Sequence, residues 1–439
     1  VGEIDPESGL ALTGYPDGHA AMLADEDTIR VIYQSESYAT MGRAPKPETY
    51  PWAMKNGVTF TGSHIHTIDY DRAKFADFMN NGKSAKGMVK GSGKLFDTVY
   101  NGFGEIVSAP SHDPAYLSGK WGNQTRPDGT LVQFNPDFRL SEADFFFQSF
   151  CGAWYEQANK YGDGIGFADD VWLAAEEWQI GKMFPAGKAD SSATLGLASV
   201  VVDIANRTAY TAPALGQTGY EKLMPINSGH KDYVVIVAAG YNHGQEPAPN
   251  RIYVGMKDRL ADGSEINYAR ANDRDAFLAR NGLLYGKIYG LSLTPKVFAD
   301  LGIEIKLDAK MVDDYMKDAA APNEFDGRFY PTSYQWSGFD KPLAVQDTEM
   351  MLWEKEDEQP NGYAFFNGDT KTEHPAADPS GSARYFQNMT DEGGLLAFDL
   401  GNLAGALREA NGELPAFLDV SVKRSVAAVD GALTLKLGG

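Results

Sequence analysis

The sequence predicts a mostly β fold, a β-propeller with a few inserted helices and long loops. Short β-branched and aromatic runs, separated by turn residues, recur along most of the chain. Helical patterns are too sparse to cross over between every pair of strands, which disfavours a doubly wound α/β fold. The chain has 439 residues, and a propeller uses about 40–50 residues per blade, so this length fills most of a large propeller.

The predicted strands follow one another through the chain. A run over residues 28–33 follows an acidic turn, and residues 58–70 alternate with a period of two. Residues 199–210 predict a hairpin whose turn is formed by residues 205–207. The remaining predicted strands cover residues 171–178, 233–238, 251–254, 283–293, 363–366 and 395–400. No strict repeat relates these runs, so the blades must be divergent, and we assign residues 1–439 to one propeller domain.

Few segments predict helices. Residues 72–79 follow Asp69 and Asp71, either of which can cap a helix. Residues 142–161 contain no clear breaker except Gly152 and predict a helix in part. Two further short helices are predicted, over residues 294–300 and 308–320. Two segments rich in Gly, Ser, Pro and charge predict long loops, at residues 82–93 and 369–382.

The charge balance excludes one class of function. With 39 basic and 60 acidic residues, the formal net charge is −21. A nucleic-acid-binding protein needs a basic surface, so we exclude that class. Anionic membrane surfaces are disfavoured for the same reason. An anionic substrate would need a metal ion or a local basic pocket to overcome this charge.

Several features point to a protein that works outside the cytosol. The chain begins at Val1, which we interpret as a processed mature form, and it contains no apolar run of about 18 residues that could span a membrane. Glycosylation sequons occur at Asn123, Asn206 and Asn388, although a chain of this length contains a few by chance. Cys151 is the only cysteine, so no intrachain disulfide can form. We expect a secreted, periplasmic or extracellular location.

Acidic residues end or interrupt several of the predicted strands. They are Glu36, Glu176, Glu177 and Glu221. Strand ends near the axis of a propeller meet at a central channel, and carboxylates gathered there suit Ca²⁺, which takes six to eight oxygen ligands. The alternative is that each carboxylate lies on a solvated face. Adjacent residues of a strand point to opposite faces, so at most one of Glu176 and Glu177 faces a given site.

Other catalytic and metal-binding patterns are weak or absent. His64 and His66 share one face of a predicted strand and could bind a transition metal, but no third ligand stands at a known spacing. The sequence contains no HExxH motif, nucleophile elbow, P-loop or dinucleotide fingerprint. From its residues alone, the chain is a β protein with acidic strand ends.

An ordered series of short motifs resembles the PhoX-type alkaline phosphatases. The series runs from about residue 15 to residue 420. Residues 15–37 resemble the opening of the family, and residues 145–154 stand where the family has its single iron-binding cysteine. Further similar motifs lie at residues 174–178, 200–226, 250–257, 283–291 and 339–347.

The resemblance implies a fold, a location and an activity. It implies a large exported β-propeller in which a mixed iron and calcium cluster hydrolyses phosphate monoesters. The implied metal ligands are Cys151, Glu36, Glu176, Glu177 and Glu221. Lys341 would contact the phosphate, as a point charge rather than as a bidentate arginine fork. A buried or metal-bound environment would also protect a lone cysteine in an exported protein.

Three departures from the family pattern leave a second interpretation open. The Arg-Pro-Glu motif becomes residues 341–343, Lys-Pro-Leu, and the family's calcium-binding Asp pair becomes Ala239 and Gly240. The closing acidic motif is not recognisable before Gly439. The alternative function is therefore a non-catalytic, calcium-stabilised propeller that acts as an extracellular binding or structural module with an assembly partner.

Overall fold

The structure is a computed structural model. It describes residues 15–36, 52–57, 59–60, 63–82, 87–100, 104, 106–107, 124–125, 131–132, 147, 150–176, 199–216, 220–240, 248–303, 323–332, 365–366, 376–378, 380–389 and 394–426. Lys341, Glu177 and the predicted helix over residues 308–320 lie outside these ranges.

The strands in chain order are β1 (Tyr15–Asp25), β2 (Thr28–Glu36), β3 (Trp52–Ala53), β4 (Thr59–Phe60), β5 (His64–Asp71), β6 (Val89–Lys94), β7 (Thr98–Tyr100), β8 (Gln124–Thr125), β9 (Leu131–Val132), β10 (Phe150–Glu156), β11 (Val171–Glu176), β12 (Val200–Asp203), β13 (Thr208–Thr211), β14 (Tyr220–Ile226), β15 (Tyr233–Gly240), β16 (Ala248–Met256), β17 (Tyr285–Pro295), β18 (Glu324–Pro331), β19 (Phe365–Phe366), β20 (Ala376–Ala377), β21 (Arg384–Met389), β22 (Gly394–Asp399) and β23 (Leu418–Val426). The α-helices of the described residues are α1 (Arg72–Asn81), α2 (Asp273–Arg280), α3 (Lys296–Ala299) and α4 (Leu403–Glu409).

Four antiparallel meanders of four strands each account for most of the described chain. The first is β1-β2-β5-β6, the second is β10-β11-β12-β13, the third is β14-β15-β16-β17 and the fourth is β20-β21-β22-β23. A four-stranded antiparallel meander is the blade of a propeller. The predicted fold class is confirmed: the protein is mostly β and of propeller type, with few helices.

The third meander buries both of its faces. In β15, Val234 and Ile236 belong to the core between the second and third meanders. Their neighbours Val235 and Val237 belong to the core between the third and fourth meanders. Successive side chains of a strand point to opposite faces, so a continuous apolar run fills two cores at once. A third core lies between the first and second meanders, where Trp172 is fully buried.

The third and fourth meanders are joined rather than separate. Strand β17 is 11 residues long. Its first half pairs with β16 up to Gly290, and its second half, from Tyr289 onward, pairs with β18. Because β18 also pairs with β23, both meanders merge into one extended sheet. The second meander is also extended by one strand, because β7 pairs with β13, and this pair is parallel.

Most of the predicted strands are confirmed, including the hairpin of β12 and β13. The helix predicted in part over residues 142–161 is wrong in its second half, because β10 occupies residues 150–156. The loop predicted over residues 82–93 is also wrong in part, because β6 begins at Val89 and pairs with β5. The helix predicted to begin at residue 294 is displaced, because β17 continues to Pro295 and only α3 follows it.

Helix α1 is confirmed and shows which aspartate caps it. The Asp71 carboxylate accepts a hydrogen bond of 2.9 Å from the backbone N–H of Lys74, which is the geometry of an N-cap. Asp69 instead binds Arg30 through two hydrogen bonds, of 2.7 and 2.8 Å, across β2 and β5. The helix ends at Gly82, whose φ of 61° is in the left-handed region that glycine adopts at low cost.

His64 and His66 lie in an aromatic cluster of the first meander. Both are buried, and the ring of His66 stacks on Tyr33 with centroids 4.9 Å apart. The ring of His64 packs edge-on against His66, at 6.2 Å, and near Phe96. Burial lowers the pKa of His66 to about 3 and holds the pKa of His64 well below its usual value. Both imidazoles are therefore neutral near pH 7.

The lowered pKa values of these two histidines predict that the fold loses stability in mild acid. Their folded-state pKa values lie below the unfolded value, so their contribution is complete above about pH 6.5 and is lost as the pH falls below it. We expect the free energy of unfolding to drop between pH 7.5 and pH 5 by about 1–2 kcal/mol for each buried histidine. Urea titrations at both pH values would measure this drop.

His66→Phe is the test variant for this prediction, because it keeps an aromatic ring on Tyr33. It should flatten the pH dependence, whereas the exposed His19, changed to Gln, provides the control. An unchanged pH dependence in His66→Phe would show that other groups cause the loss of stability.

Candidate metal centre

Three β-bulges lie on the first strands of three successive meanders. The register of β1 against β2 shifts between Pro16 and His19, which leaves Asp17 and Gly18 in the bulge. The register of β10 shifts between Phe150 and Ala153, around Cys151 and Gly152. The register of β14 shifts between Tyr220 and Lys222, around Glu221. A bulge redirects a side chain out of the regular alternation, and bulges are frequent beside active sites.

The three bulges bring Asp17, Cys151 and Glu221 together. The Cys151 Sγ lies 3.0 Å from Oδ2 of Asp17 and 3.1 Å from Oε1 of Glu221. These residues are 134 and 70 positions away from Cys151 in the chain, so only the fold joins them. Glu221 is buried and Cys151 is partly buried. We call Asp17, Cys151 and Glu221 the bulge cluster.

Two glycines allow the strands of the bulge cluster to approach each other. A Cβ atom on Gly152 would lie 1.5 Å from the carbonyl oxygen of Glu221, so β10 and β14 touch backbone to backbone. A Cβ atom on Gly18 would lie 2.6 Å from the Cys151 carbonyl oxygen and from the Ala153 nitrogen. Any larger residue at either position would separate the strands and pull the cluster apart.

A buried glutamine fixes the backbone at Cys151. The Gln34 Nε2 donates a hydrogen bond of 2.8 Å to the carbonyl oxygen of Cys151. Its Oε1 accepts a bond of 3.1 Å from the indole N–H of Trp172. Gln34 is fully buried, so both ends of its amide are held by the protein. This connection ties β2, β10 and β11 together beside the cluster.

The donor set of the bulge cluster suits a cation. A thiol carries one hydrogen and an ionised carboxylate carries none, so a single S–H cannot donate to both carboxylates at once. A proton on a carboxyl group or a metal ion would satisfy the second contact. Thiolate sulfur suits iron and other transition metals, and carboxylate oxygen suits iron and calcium, so the residues fit the metals that the family resemblance implies.

The described residues do not complete a metal site by themselves. Within the part of the chain that the structure describes, no group of three or more His, Cys, Asp or Glu side chains is arranged to hold a metal ion. The contacts of the bulge cluster both run through the sulfur. A bound metal would therefore require the carboxylates to turn toward it or further ligands to join them.

The structure describes the positions of only some of the predicted site residues. It brings Cys151 and Glu221 together. The backbone of Glu36 pairs with Tyr15, two residues before Asp17, and the backbone of Glu176 pairs with Phe150, next to Cys151. Both therefore end their strands beside the cluster. The side chains of these two glutamates, and all of Glu177 and Lys341, lie outside the described part of the chain.

Sequence reasoning missed Asp17 and Gln34 as site residues. Asp17 precedes Gly18 in a motif that we matched to the family without assigning a role to the aspartate. An Asp-Gly pair inside a strand-like run is a signal of a bulge, because glycine interrupts regular pairing. Nothing in the sequence indicates the bond of Gln34 to Cys151.

A partly buried lysine lies next to the cluster. Lys222 follows Glu221 on β14, and its Nζ lies 5.6 Å from the centre of the Trp154 ring. Burial lowers the pKa of Lys222, while the nearby Glu221 and Cys151 favour its charged form. The indole N–H of Trp154 donates a 2.6 Å hydrogen bond to Glu156, which holds the ring in place.

Two cavities lie elsewhere in the described structure. One of about 770 Å³ is lined by residues that include Arg328 and Asp419, and one of about 600 Å³ is lined by residues that include Arg280. Arg328 is bound to Asp419 at 2.8 Å, and Arg280 is bound to Asp169 at 2.6 Å. These arginines are already neutralised, so the bulge cluster is the stronger candidate for chemistry.

Comparisons with known proteins add one structural likeness. No protein-family model and no curated protein matches the sequence. A solved structure of Pseudomonas fluorescens PhoX in complex with vanadate, a transition state analogue, is similar to this chain with a TM-score of 0.44 and 10% identity. The match covers 93% of this chain and 66% of that chain, so the protein spans just under two thirds of that PhoX length. In the described residues, no helix is long and apolar enough to cross a membrane.

The close contact of β10 with β14 predicts that Gly152→Ala destabilises the protein. The added Cβ would meet the Glu221 carbonyl at 1.5 Å, and backbone cannot move aside as a flexible side chain can. We expect the free energy of unfolding to fall by about 3 kcal/mol or more. Denaturant unfolding would measure this loss.

Gly91→Ala is the matched control for this substitution. Gly91 lies on the edge strand β6, and a Cβ there would meet nothing within 4 Å. Because alanine is favoured over glycine inside a strand, this variant should be neutral or slightly stabilising. If Gly152→Ala were as stable as Gly91→Ala, the backbone contact at the cluster would be wrong.

Proposed function

We propose that the bulge cluster is part of the metal centre of a phosphate monoester hydrolase that uses iron and calcium. The observation that carries the proposal is the Cys151 sulfur held within 3.1 Å of both the Asp17 and Glu221 carboxylates. One thiolate and two carboxylates at facing strand bulges form a donor set for a transition metal. The series of motifs that resembles the PhoX-type alkaline phosphatases supplies the reaction class.

The negative net charge of the protein explains why binding of an anionic substrate would need a metal ion. A phosphate monoester is an anion, and a protein with a net charge of −21 repels it. A bound metal ion would polarise a phosphoryl oxygen and offset this repulsion. The site would then accept an anionic substrate inside an acidic protein.

Each residue of the proposed site has a role. Asp17, Cys151 and Glu221 would hold iron through sulfur and oxygen. Gln34 would keep the Cys151 backbone in place through its 2.8 Å hydrogen bond, as outer-shell partners of metal ligands do. In this proposal the acidic strand ends Glu36, Glu176 and Glu177 supply ligands for the metals, and Lys341 contacts the phosphate.

The proposal extends to the domain, the location and the substrate. The whole chain would form one propeller domain. The protein would be secreted, periplasmic or extracellular, and its substrate would be a small phosphate ester.

The second candidate function is a calcium-stabilised propeller without catalysis that binds an extracellular assembly partner. The observation that favours it is the end of β15, where Ala239 and Gly240 offer no side-chain oxygen. The resembled family has its calcium-binding Asp pair at this point of the sequence. A site that has lost ligands could keep a structural cation without hydrolysing esters.

Metal content separates these two functions. We expect the purified protein to contain iron near one equivalent together with calcium, measured by elemental mass spectrometry, and to hydrolyse p-nitrophenyl phosphate. Cys151→Ala should lose the iron and lower kcat/KM by more than the roughly 10–100-fold that loss of an outer-shell partner costs. Asp17→Asn and Glu221→Gln should act in the same direction, because each removes one anionic donor.

Asp163→Asn is the control, since it removes a carboxylate that is fully exposed and paired only with Lys231 among the described residues. It should retain both metal and activity. Thermal unfolding of every variant would separate loss of metal from loss of fold. Calcium without iron and without hydrolysis would favour the binding or structural module, and protein without any metal would sink the assignment of the bulge cluster.

A further inference from the structure

Two lysines share the ring of Trp154 beside the bulge cluster. The Nζ of Lys160 lies 5.2 Å from the ring centre, and the Nζ of Lys222 lies 5.6 Å from it. An ammonium within about 6 Å of an indole ring is attracted by the electrons of the ring. Because Glu156 holds the indole N–H, the ring is a fixed support for both charges.

The two lysines differ in how their charges are balanced. The Nζ of Lys160 forms a salt bridge of 2.8 Å with Glu156, whose carboxylate is fully buried. Among the residues that the structure describes, Lys222 forms neither a salt bridge nor a hydrogen bond with its ammonium group. A lysine that is partly buried normally pairs its charge, because burial without a partner is costly.

The position of Lys222 links its charge to the bulge cluster. It follows Glu221 directly, past the bulge in β14, so the same distortion that turns Glu221 toward Cys151 also sets the direction of Lys222. Its ammonium group also lies 5.6 Å from the ring centre of Trp154, which stands three residues after Cys151 on β10. An anion brought to the cluster would therefore meet a cation whose charge is not already neutralised.

We infer that Lys222 is an anion-binding residue of this site and that it holds a phosphate oxygen of the substrate at the bulge cluster. The inference rests on the proposed function for the identity of the substrate. It adds a phosphate contact that the sequence motifs did not assign, beside the proposed contact of Lys341. Trp154 sets the position of the ammonium group, and the cluster sets the position of the bound anion.

Binding of inorganic phosphate tests this inference without requiring turnover. Isothermal titration calorimetry of the full chain, as purified and with its metal content measured, would give the Kd of phosphate for wild type and Lys222→Met. We expect Lys222→Met to weaken binding by roughly 10-fold or more, because a charge-assisted hydrogen bond is lost. Lys222→Arg, which keeps the charge, should restore most of the affinity.

Lys257→Met is the matched control. Lys257 is also partly buried in the third meander, but its Nζ donates to the carbonyl oxygen of Gly164 at 2.9 Å, away from the cluster. Lys257→Met removes the same charge from the protein as Lys222→Met, but at a distance from the cluster. We therefore expect Lys257→Met to leave the phosphate Kd unchanged. If Lys222 only balances the negative charge of the bulge cluster, Lys222→Met should lose metal or stability but keep the wild-type Kd for phosphate. That result would overturn the inference.

Parallel assays of p-nitrophenyl phosphate hydrolysis keep this inference distinct from the proposed function. Suppose that Cys151→Ala loses hydrolysis, whereas Lys222→Met keeps the wild-type KM and the wild-type Ki for phosphate. This result would overturn the inference but would still support the proposed phosphatase activity. If the protein binds phosphate through Lys222 but hydrolyses no ester, the inference would be supported and the proposed phosphatase activity would be rejected. Wild-type protein that does not bind phosphate at all would overturn the role of Lys222 directly.

Discussion

The backbone contact between β10 and β14 at Gly152 is the constraint on which the candidate site depends. It leaves no space for a Cβ atom beside the Glu221 carbonyl, and a similar contact at Gly18 brings β1 against β10. These two contacts fix the first strands of three meanders side by side. The Cys151 sulfur can reach two carboxylates only because the strands that carry them are packed this closely.

The same packing explains how the rest of the chain is buried. The second and third meanders each have a neighbour on either side, so most of their strands are apolar on both faces. Val234 and Val235 of β15 show this, since adjacent residues enter different cores. The fold also buries polar side chains, and Gln34 is one that forms a specific bond there.

The bulges give the site polar groups without disturbing these cores. In a regular strand, an acidic side chain points either into a core or into solvent. In a core it would be buried at a high cost in free energy, and in solvent it would lie far from its partners. At a bulge the alternation is interrupted, so Glu221 and Lys222 can take directions that a regular strand would not give them. In the proposed function, the carboxylates brought together in this way would bind a cation, and Lys222 beside them would bind an anion.

The strand pattern was predictable because it is local. Runs of β-branched and aromatic residues between turns predicted most strands, the hairpin at residues 205–207 and helix α1, and the length predicted a propeller. Residues 142–161 were misread in part as a helix, because the single breaker, Gly152, acts through its contact with Glu221, which is 69 positions away, rather than through its neighbours. Local propensity carries no information about such a contact.

The sequence by itself determined the β class, the charge and the lone cysteine, and it named Cys151 and Glu221 as candidate site residues. Only the tertiary structure decided that Asp17 shares their site, that Gln34 supports it, and that Lys222 differs from Lys160 in lacking a carboxylate partner among the described residues. The physical reason is that a side chain's direction at a bulge follows from strand register. Register is set by pairing and packing across the whole fold.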